Sequence, residues 1–226
     1  MKENKLNFQI CADYNRRYTA TPLEKLRGRI PPLKVGDIVL VRHKRGGLTR
    51  KFLRYVTNSY WDHAAMVLFP REPERAHRHT IIVEALQIGP NTSLRHGVNL
   101  HLLDKYLRRP DRYDVGICRL SWLNKKDRKR IRTYMLLNLD TPYYPLSFFK
   151  FLLARLFKGY RRNFLLTQRY SCSGLIQKVL YEAVELKDRR KIFFKTGFTP
   201  IQTLDVVAPA DIAKSHAVEW VWNKHV

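Results

Sequence analysis

Short apolar runs separated by polar stretches occupy the first half of the chain. The runs at 35–41, 61–69 and 80–86 are bounded by Gly, Pro or charged residues, and their length predicts buried strands. Residues 97–102 alternate more weakly, and residues 114–120 predict a further strand with alternate side chains buried. This half of the chain is therefore expected to form a sheet.

The apolar period changes after Lys125. Ile131, Met135 and Leu139 recur every four residues and predict a helix with a very basic outer face, and residues 171–185 predict another helix. Shorter helices are predicted at 21–27 and 49–59, and a last strand at 217–222. Strands followed by helices predict an α+β fold, with a helical group packed against an antiparallel sheet.

The chain divides into an arm and one main domain. Residues 1–34 are predicted to be an N-terminal arm with a short helix, and residues 35–226 the main domain. Within the main domain, residues 143–162 are predicted to be a basic amphipathic helical insertion.

The charge is strongly unbalanced. Lys and Arg number 43 against 19 Asp and Glu, which gives a formal net charge of +24. Such a surface attracts polyanions such as nucleic acid, anionic lipid or an acidic wall polymer. The basic residues are spread along the chain and the aromatic residues have a core pattern, so a nucleic-acid module is not expected. The sequence does not predict an oligomeric state.

Cysteine content and hydrophobicity bear on compartment and cofactors. Cys11, Cys118 and Cys172 are an odd, widely spaced set, which argues against a disulfide framework and a Cys-rich zinc site. No metal or cofactor is expected. The first residues lack the apolar region of a secretory signal, and no apolar run is long enough to span a bilayer. We therefore expect a cytoplasmic protein, peripheral on the inner membrane face if residues 146–162 bind lipid.

Residues 146–162 have an amphipathic pattern with two interpretations. On a helix, Ser147, Lys150, Arg155 and Lys158 fall within an arc of roughly 140°, and Leu, Phe and Ala cover the rest through residue 157. A wide apolar face with a narrow basic stripe is typical of an interfacial helix on an anionic membrane surface. A helix buried in the core has the same pattern, and both alternatives stay open.

Cys172 is the strongest candidate for chemistry. It lies at the predicted start of a helix, where the positive end of the helix dipole favours a thiolate. Ser171, Ser173 and Gly174 leave room for a substrate carbonyl, and backbone N–H groups of the first turn can hold an oxyanion. The alternative is an ordinary core cysteine.

His63 and Glu84 are its candidate partners. His63 lies in a predicted strand beside alanines, so its ring can be oriented to take a proton from a thiol. Glu84 is the one charged residue in an apolar strand, where a carboxylate needs a partner. If the two strands are antiparallel neighbours, Glu84 can orient the His63 imidazole. Asp62 points to the other face of its strand.

Four segments resemble a known family. They are GDIVLV at 36–41, WDHAAMVLF at 61–69, IIVEAL at 81–86 with Gly97-Val98 downstream, and YSCSGLIQKVL at 170–180. Over about residues 35–215 the chain resembles the permuted papain-like cysteine enzymes. Among these it most resembles the YiiX/YaeF-like cysteine hydrolases, relatives of the NlpC-type peptidases and lecithin–retinol acyltransferase. The resemblance implies that 35–226 is a circularly permuted papain-like (NlpC-type) catalytic domain.

The resemblance also implies roles for particular residues. Cys172 is expected to be the nucleophile, His63 the general base and Glu84 the polar third residue. Tyr143 or Tyr144 stands where such enzymes commonly carry a Tyr. Together with Ser173, these two are candidates for the oxyanion site or the pocket.

One departure keeps a second scheme open. Gly174 stands where many permuted members carry an acidic residue, and the CSGL string resembles the unpermuted NlpC-type peptidases, in which His follows Cys. In that scheme His216 or His225 is the base instead of His63.

The expected function is a cysteine hydrolase or acyltransferase. It cleaves an ester or amide through an acyl-thioester on Cys172, with lipid-like acyl groups favoured. The alternative enzyme is a peptide amidase acting on cell-wall-type or isopeptide bonds. The alternative from another class is a basic membrane- or nucleic-acid-binding protein with an inactive papain-like site.

Overall fold

A computed structural model describes the chain over the ranges 30–45, 47, 50–51, 54–55, 59–71, 77–86, 97–142, 171–192 and 207–223. Most of the predicted arm, with its short helix at 21–27, lies outside the described residues. The predicted insertion at 143–162, which includes Tyr143 and Tyr144, also lies outside them.

The described strands form one antiparallel sheet. They are β1 Ile38–His43, β2 His63–Phe69, β3 Ile81–Leu86, β4 Gly97–Leu102, β5 Tyr113–Arg119 and β6 Glu219–Asn223. Their order across the sheet is β4-β3-β2-β1-β5-β6. All six correspond to predicted strands, and their ends differ from the prediction by at most three residues.

Helices connect and cover the sheet. They are α1 Asp104–Leu107, α2 Lys125–Leu137, α3 Cys172–Ala183 and α4 Pro209–Ala213, with 3-10 turns at His77–His79 and Leu186–Ile192. The predicted helices α2 and α3 are confirmed, and 50–51 and 54–55 are helical within the predicted 49–59. Asn124 caps α2, because its side chain accepts the Asp127 N–H and the Asp127 carboxylate accepts the Asn124 N–H. No helix among the described residues is long and apolar enough to cross a membrane.

The two faces of the sheet bury different sets of side chains. One face packs against α2 and α3, with Met66 and Val83 in the same apolar cluster as Leu175 and Val179. The strand period of two places the next residue of each strand on the opposite face, in a second cluster centred on β1, β2, β5 and α1. Each fully buried aliphatic side chain contributes about 1.5–3 kcal/mol to folding. An antiparallel sheet with helices packed on it confirms the predicted α+β class.

Candidate active site

His63 and Glu84 lie on neighbouring antiparallel strands and on the same face of the sheet. His63 begins β2 and Glu84 lies within β3, whose pairing includes Met66 opposite Val83. The His63 Nε2 atom is 2.6 Å from the Glu84 Oε2 atom. Glu84 is fully buried and His63 is 6% exposed. The strand pairing therefore brings together the two partners expected from the sequence.

Cys172 reaches the same point from the first turn of α3. Ser171 caps this helix, because its hydroxyl accepts the Gly174 N–H at 3.1 Å. The half-buried Cys172 thiol interacts with the His63 side chain and with the backbone N–H groups of Ala64 and Ser173. Since Nε2 of His63 faces Glu84, its Nδ1 is the nitrogen that faces the thiol.

The electrostatic environment of Cys172, His63 and Glu84 favours a separated pair of charges. Burial lowers the pKa of His63, but the hydrogen bonds and charges of Cys172 and Glu84 raise it overall to about 9. Burial raises the pKa of the Cys172 thiol, but the His63 side chain and the two backbone N–H groups lower it overall. Both shifts favour a thiolate beside an imidazolium over the neutral pair.

Glu84 has more partners than the sequence analysis foresaw. The Tyr106 hydroxyl donates to Oε2 over 2.5 Å, Lys105 Nζ donates to Oε1, and His101 Nδ1 lies 3.0 Å from Oε1. Burial raises the pKa of Glu84, but His101, His63 and Lys105 hold it well below its usual range. Burial and the Glu84 charge raise the pKa of Tyr106 well above its usual range, so it donates as a neutral phenol. Glu84 is thus an ionised carboxylate inside the protein.

A second histidine–carboxylate pair lies beside this chain. Asp62 Oδ1 is 2.7 Å from His43 Nδ1, and Arg54 donates to Asp62 Oδ2 over 2.5 Å. The His43 and His63 rings meet edge to face, with centroids 6.2 Å apart. Burial lowers the pKa of His43 despite Asp62, so its ring is neutral at neutral pH. The expectation that Asp62 does not pair with His63 agrees with this arrangement.

The other candidates from the sequence lie apart from this chain or outside the described residues. The buried Ser173 hydroxyl donates to the Val207 carbonyl over 2.6 Å, so only its backbone N–H approaches the thiol. His216 is exposed just before β6, which lies three strands from β2, or about 14 Å. This placement disfavours His216 as the base. His225, Tyr143 and Tyr144 are outside the described residues.

The sequence analysis missed four residues around this site: His43, His101, Lys105 and Tyr106. His101 lies between two leucines and His43 lies between Arg42 and Lys44, both at strand ends, and neither pattern distinguishes them from surface histidines. Across the described ranges, no group of three His, Cys, Asp or Glu side chains is arranged to hold a metal ion.

Comparison with known proteins identifies the family. The family described as "Permuted papain-like amidase enzyme, YaeF/YiiX, C92 family" matches residues 32–222. Among solved structures, the chain is similar to the metalloprotein yiiX from Escherichia coli O157:H7, with 17% identity over 68% of each chain and a TM-score of 0.46. No curated protein matches the chain. The family match spans most of the sequence and confirms the predicted resemblance and fold, so this chain belongs to the permuted papain-like amidases of the YaeF/YiiX family.

Proposed function

We propose that this protein cleaves an acyl bond through a thioester formed on Cys172. Membership of a papain-like amidase family supports hydrolysis of an amide by a cysteine nucleophile. The observation that carries the proposal is that the Cys172 thiol interacts with His63, whose Nε2 lies 2.6 Å from the buried Glu84 carboxylate. The proposal gives Cys172 the role of nucleophile, His63 that of acid–base catalyst and Glu84 that of orienting carboxylate.

The acylation step follows from the charge separation at the site. The Cys172 thiolate attacks the substrate carbonyl carbon and forms a carbon–sulfur bond, while the carbonyl oxygen takes the negative charge. The His63 imidazolium then donates its proton to the leaving nitrogen or oxygen, and the bond from the carbonyl carbon to that atom breaks. A thioester on Cys172, a free amine or alcohol and a neutral His63 imidazole remain.

Deacylation reverses these roles. The neutral His63 imidazole takes a proton from water as the water oxygen attacks the thioester carbon. The carbon–sulfur bond breaks, and the carboxylic acid leaves with thiolate and imidazolium restored. Glu84 stabilises the positively charged imidazole of His63. Because a Glu84 oxygen contacts Nε2 of His63, the Nδ1 atom of His63 is held toward the Cys172 sulfur.

The developing oxyanion needs donors near Cys172. The first N–H groups of a helix have no partner within the helix, and they point toward an atom bound at its N-terminus. Ser171 engages the Gly174 N–H and the Cys172 thiol engages the Ser173 N–H, so the Cys172 N–H at the start of α3 is the proposed main-chain donor. Tyr143 or Tyr144 is the proposed additional donor, on the grounds of sequence position.

For the acyl group, we propose a lipid-like chain ahead of a peptide. The sequence of 146–162, apolar with a basic stripe and close in sequence to α3, is what favours a lipid-like group. A peptide amide of the cell-wall or isopeptide kind is the second candidate, and the family's amidase description favours it. If an alcohol or amine replaces water in deacylation, the same thioester gives acyl transfer.

A pair of substrates with one leaving group tests the acyl preference. A fatty-acyl p-nitroanilide and a peptidyl p-nitroanilide release the same amine, so a difference in kcat/KM reports the acyl part alone. We expect the fatty-acyl substrate to be cleaved faster, and faster cleavage of the peptidyl substrate would contradict the lipid preference. A hydroxamate product with added hydroxylamine would show acyl transfer.

Substitutions test the residue roles with the same substrates. Activity should be lost in Cys172→Ala and fall by roughly 10²-fold or more in His63→Ala, by removal of a general acid–base group. His216→Ala should retain it. Full activity in His63→Ala, with loss in His216→Ala, would overturn the permuted scheme.

The rival from another class is a basic binding protein with an inactive site. The intact chain of Cys172, His63 and Glu84 argues against it, because a decayed site has no reason to keep a buried carboxylate aimed at a histidine. An electrophilic thiol probe at neutral pH should modify Cys172 in preference to Cys118, whose pKa burial raises well above its usual range. Equally slow labelling of both would favour the binding protein.

We also propose that the protein acts in the cytoplasm at an anionic membrane surface. The net charge of +24 supports this, since each basic residue near an anionic leaflet contributes on the order of 1 kcal/mol to binding. The basic stripe of residues 146–162 is the proposed contact.

A further inference from the structure

The turn between β4 and α1 brings two unassigned side chains to Glu84. Leu103 is fully buried, and its backbone N–H donates to the Thr80 carbonyl over 2.9 Å, which fixes the turn beside β3. The short helix that follows then directs Lys105 and Tyr106 at the carboxylate of the neighbouring strand. Their placement thus depends on a well-anchored element of the fold.

The two oxygens of Glu84 have different partners. Oε2 receives the His63 Nε2 contact at 2.6 Å and the Tyr106 hydroxyl at 2.5 Å. Oε1 receives Lys105 Nζ, with His101 Nδ1 at 3.0 Å. With both oxygens held, the carboxylate cannot rotate about its terminal bond without breaking at least one of these contacts.

Lys105 joins the buried carboxylate to the surface. Its side chain is 30% exposed while that of Glu84 is fully buried, so the ammonium stays partly hydrated as it pairs with the charge. Nζ also lies 4.7 Å from the centre of the Tyr106 ring, which adds a cation–π contact between the two donors. Neither residue makes a described contact with Cys172.

We propose that Lys105 and Tyr106 are positioning residues for the reaction, and that they hold the Glu84 carboxylate against Nε2 of His63. They also help to keep the buried carboxylate ionised, because burial alone raises the pKa of Glu84. The inference rests on the proposed function, because it gives these residues a part in the same acid–base chain.

Removal of the Lys105 charge should shift the pKa values of Glu84 and His63 in a defined direction. Without the Lys105 charge, Glu84 attracts a proton more strongly and His63 loses a repelling neighbour, so the pKa values of both rise. On the Glu84 side, the titratable and charged groups that face this pair are His101, Lys105 and Tyr106. On the His63 side they are Cys172 and His43. Tyr113 and Arg50 lie next to Tyr106. The substitution leaves all of these except Lys105 in place.

The protein contains a matched control on the opposite face of the sheet. Asp114 is also a buried carboxylate, and it accepts the Tyr60 hydroxyl at 2.5 Å and pairs with Lys44 at 2.8 Å. The Lys44 side chain is 34% exposed, close to the 30% of Lys105. The two sites therefore share a Lys, a Tyr and a buried carboxylate, but the reacting histidine belongs to only one of them.

The experiment follows the His63 imidazole by NMR across pH in the resting protein. In Lys105→Met its pKa should rise above about 9 by roughly half to one unit, by loss of a nearby positive charge. Tyr106→Phe should raise it by less, Lys105→Arg should restore it, and Lys44→Met should leave it unchanged. In Lys105→Met, both limbs of the pH profile of kcat/KM should move to higher pH together with the His63 pKa.

Two results would overturn the inference. One is an unchanged His63 titration in Lys105→Met with the protein folded by circular dichroism, and the other is an equal shift in Lys44→Met. Because the titration needs no substrate, it can fail or succeed independently of turnover. Absence of Cys172-dependent turnover in the wild type would instead contradict the proposed function.

Discussion

The charge of Glu84 is the most informative single perturbation of this site. Glu84→Gln keeps the size and shape of the side chain and removes the negative charge that faces His63 Nε2 at 2.6 Å. The amide can still accept a hydrogen bond, but it no longer stabilises a positive imidazole. The substitution therefore isolates the electrostatic part of the interaction.

The expected size follows from the contact. A hydrogen bond to a charged partner contributes about 1.5–3 kcal/mol, and one pKa unit corresponds to about 1.4 kcal/mol. Loss of the charge should therefore lower the pKa of His63 by about one to two units, from about 9 to about 7–8. The thiolate–imidazolium pair is then less favoured near neutral pH, and kcat/KM should fall by roughly 10- to 100-fold, the rate equivalent of that energy.

The assay is an NMR titration of the histidine ring protons, with the His63 signal assigned by its loss in His63→Asn. Glu182→Gln provides the control, because Glu182 lies on α3 but pairs at 3.8 Å with Lys178 at the surface. A His63 pKa that stays near 9 in Glu84→Gln would refute the account of why this histidine is charged.

Three further predictions concern stability and binding. Ser171→Ala removes the α3 cap and should lower the free energy of unfolding by about 1 kcal/mol in a urea titration, and no change would count against the cap. Gly116→Ala should cost about 1–3 kcal/mol, because the added methyl carbon would lie 2.6 Å and 2.9 Å from two tryptophan rings. Gly47→Ala, at a position where no described atom lies within 4 Å, should have the wild-type free energy of unfolding, and equal stabilities of the Gly116 and Gly47 variants would contradict the packing argument. The protein should float with anionic liposomes at low salt and be released at high salt, whereas no flotation at low salt would contradict the membrane proposal.

The sequence predicts the sheet and the two long helices because each has a strong local pattern. The apolar strands have the right length and flanking turns, and the two long helices carry the apolar period of a helix. Glu84 was identifiable because one carboxylate in an apolar strand requires a partner. His63 was identifiable as a histidine beside alanines in a predicted strand, and its contact with Glu84 followed from the assumption that β2 and β3 pair.

The remaining parts of the site depend on contacts that sequence patterns do not encode. Helix α1 has four residues, too few to show a helical period, so Lys105 and Tyr106 read as surface residues. His101 reaches Glu84 only through the register of β4 on β3, in which Asn99 lies opposite Glu84. His43 meets Asp62 because β1 and β2 pair with their ends side by side.

The central claim is that Cys172 becomes acylated during turnover. Rapid quenching of the protein with a fatty-acyl p-nitroanilide, followed by peptide mapping on a mass spectrometer, measures this directly. The account predicts an added acyl mass on the peptide that contains Cys172, removed by hydroxylamine and missing in Cys172→Ala. Turnover that continues in Cys172→Ala, or an acyl group found only on another residue, would contradict it.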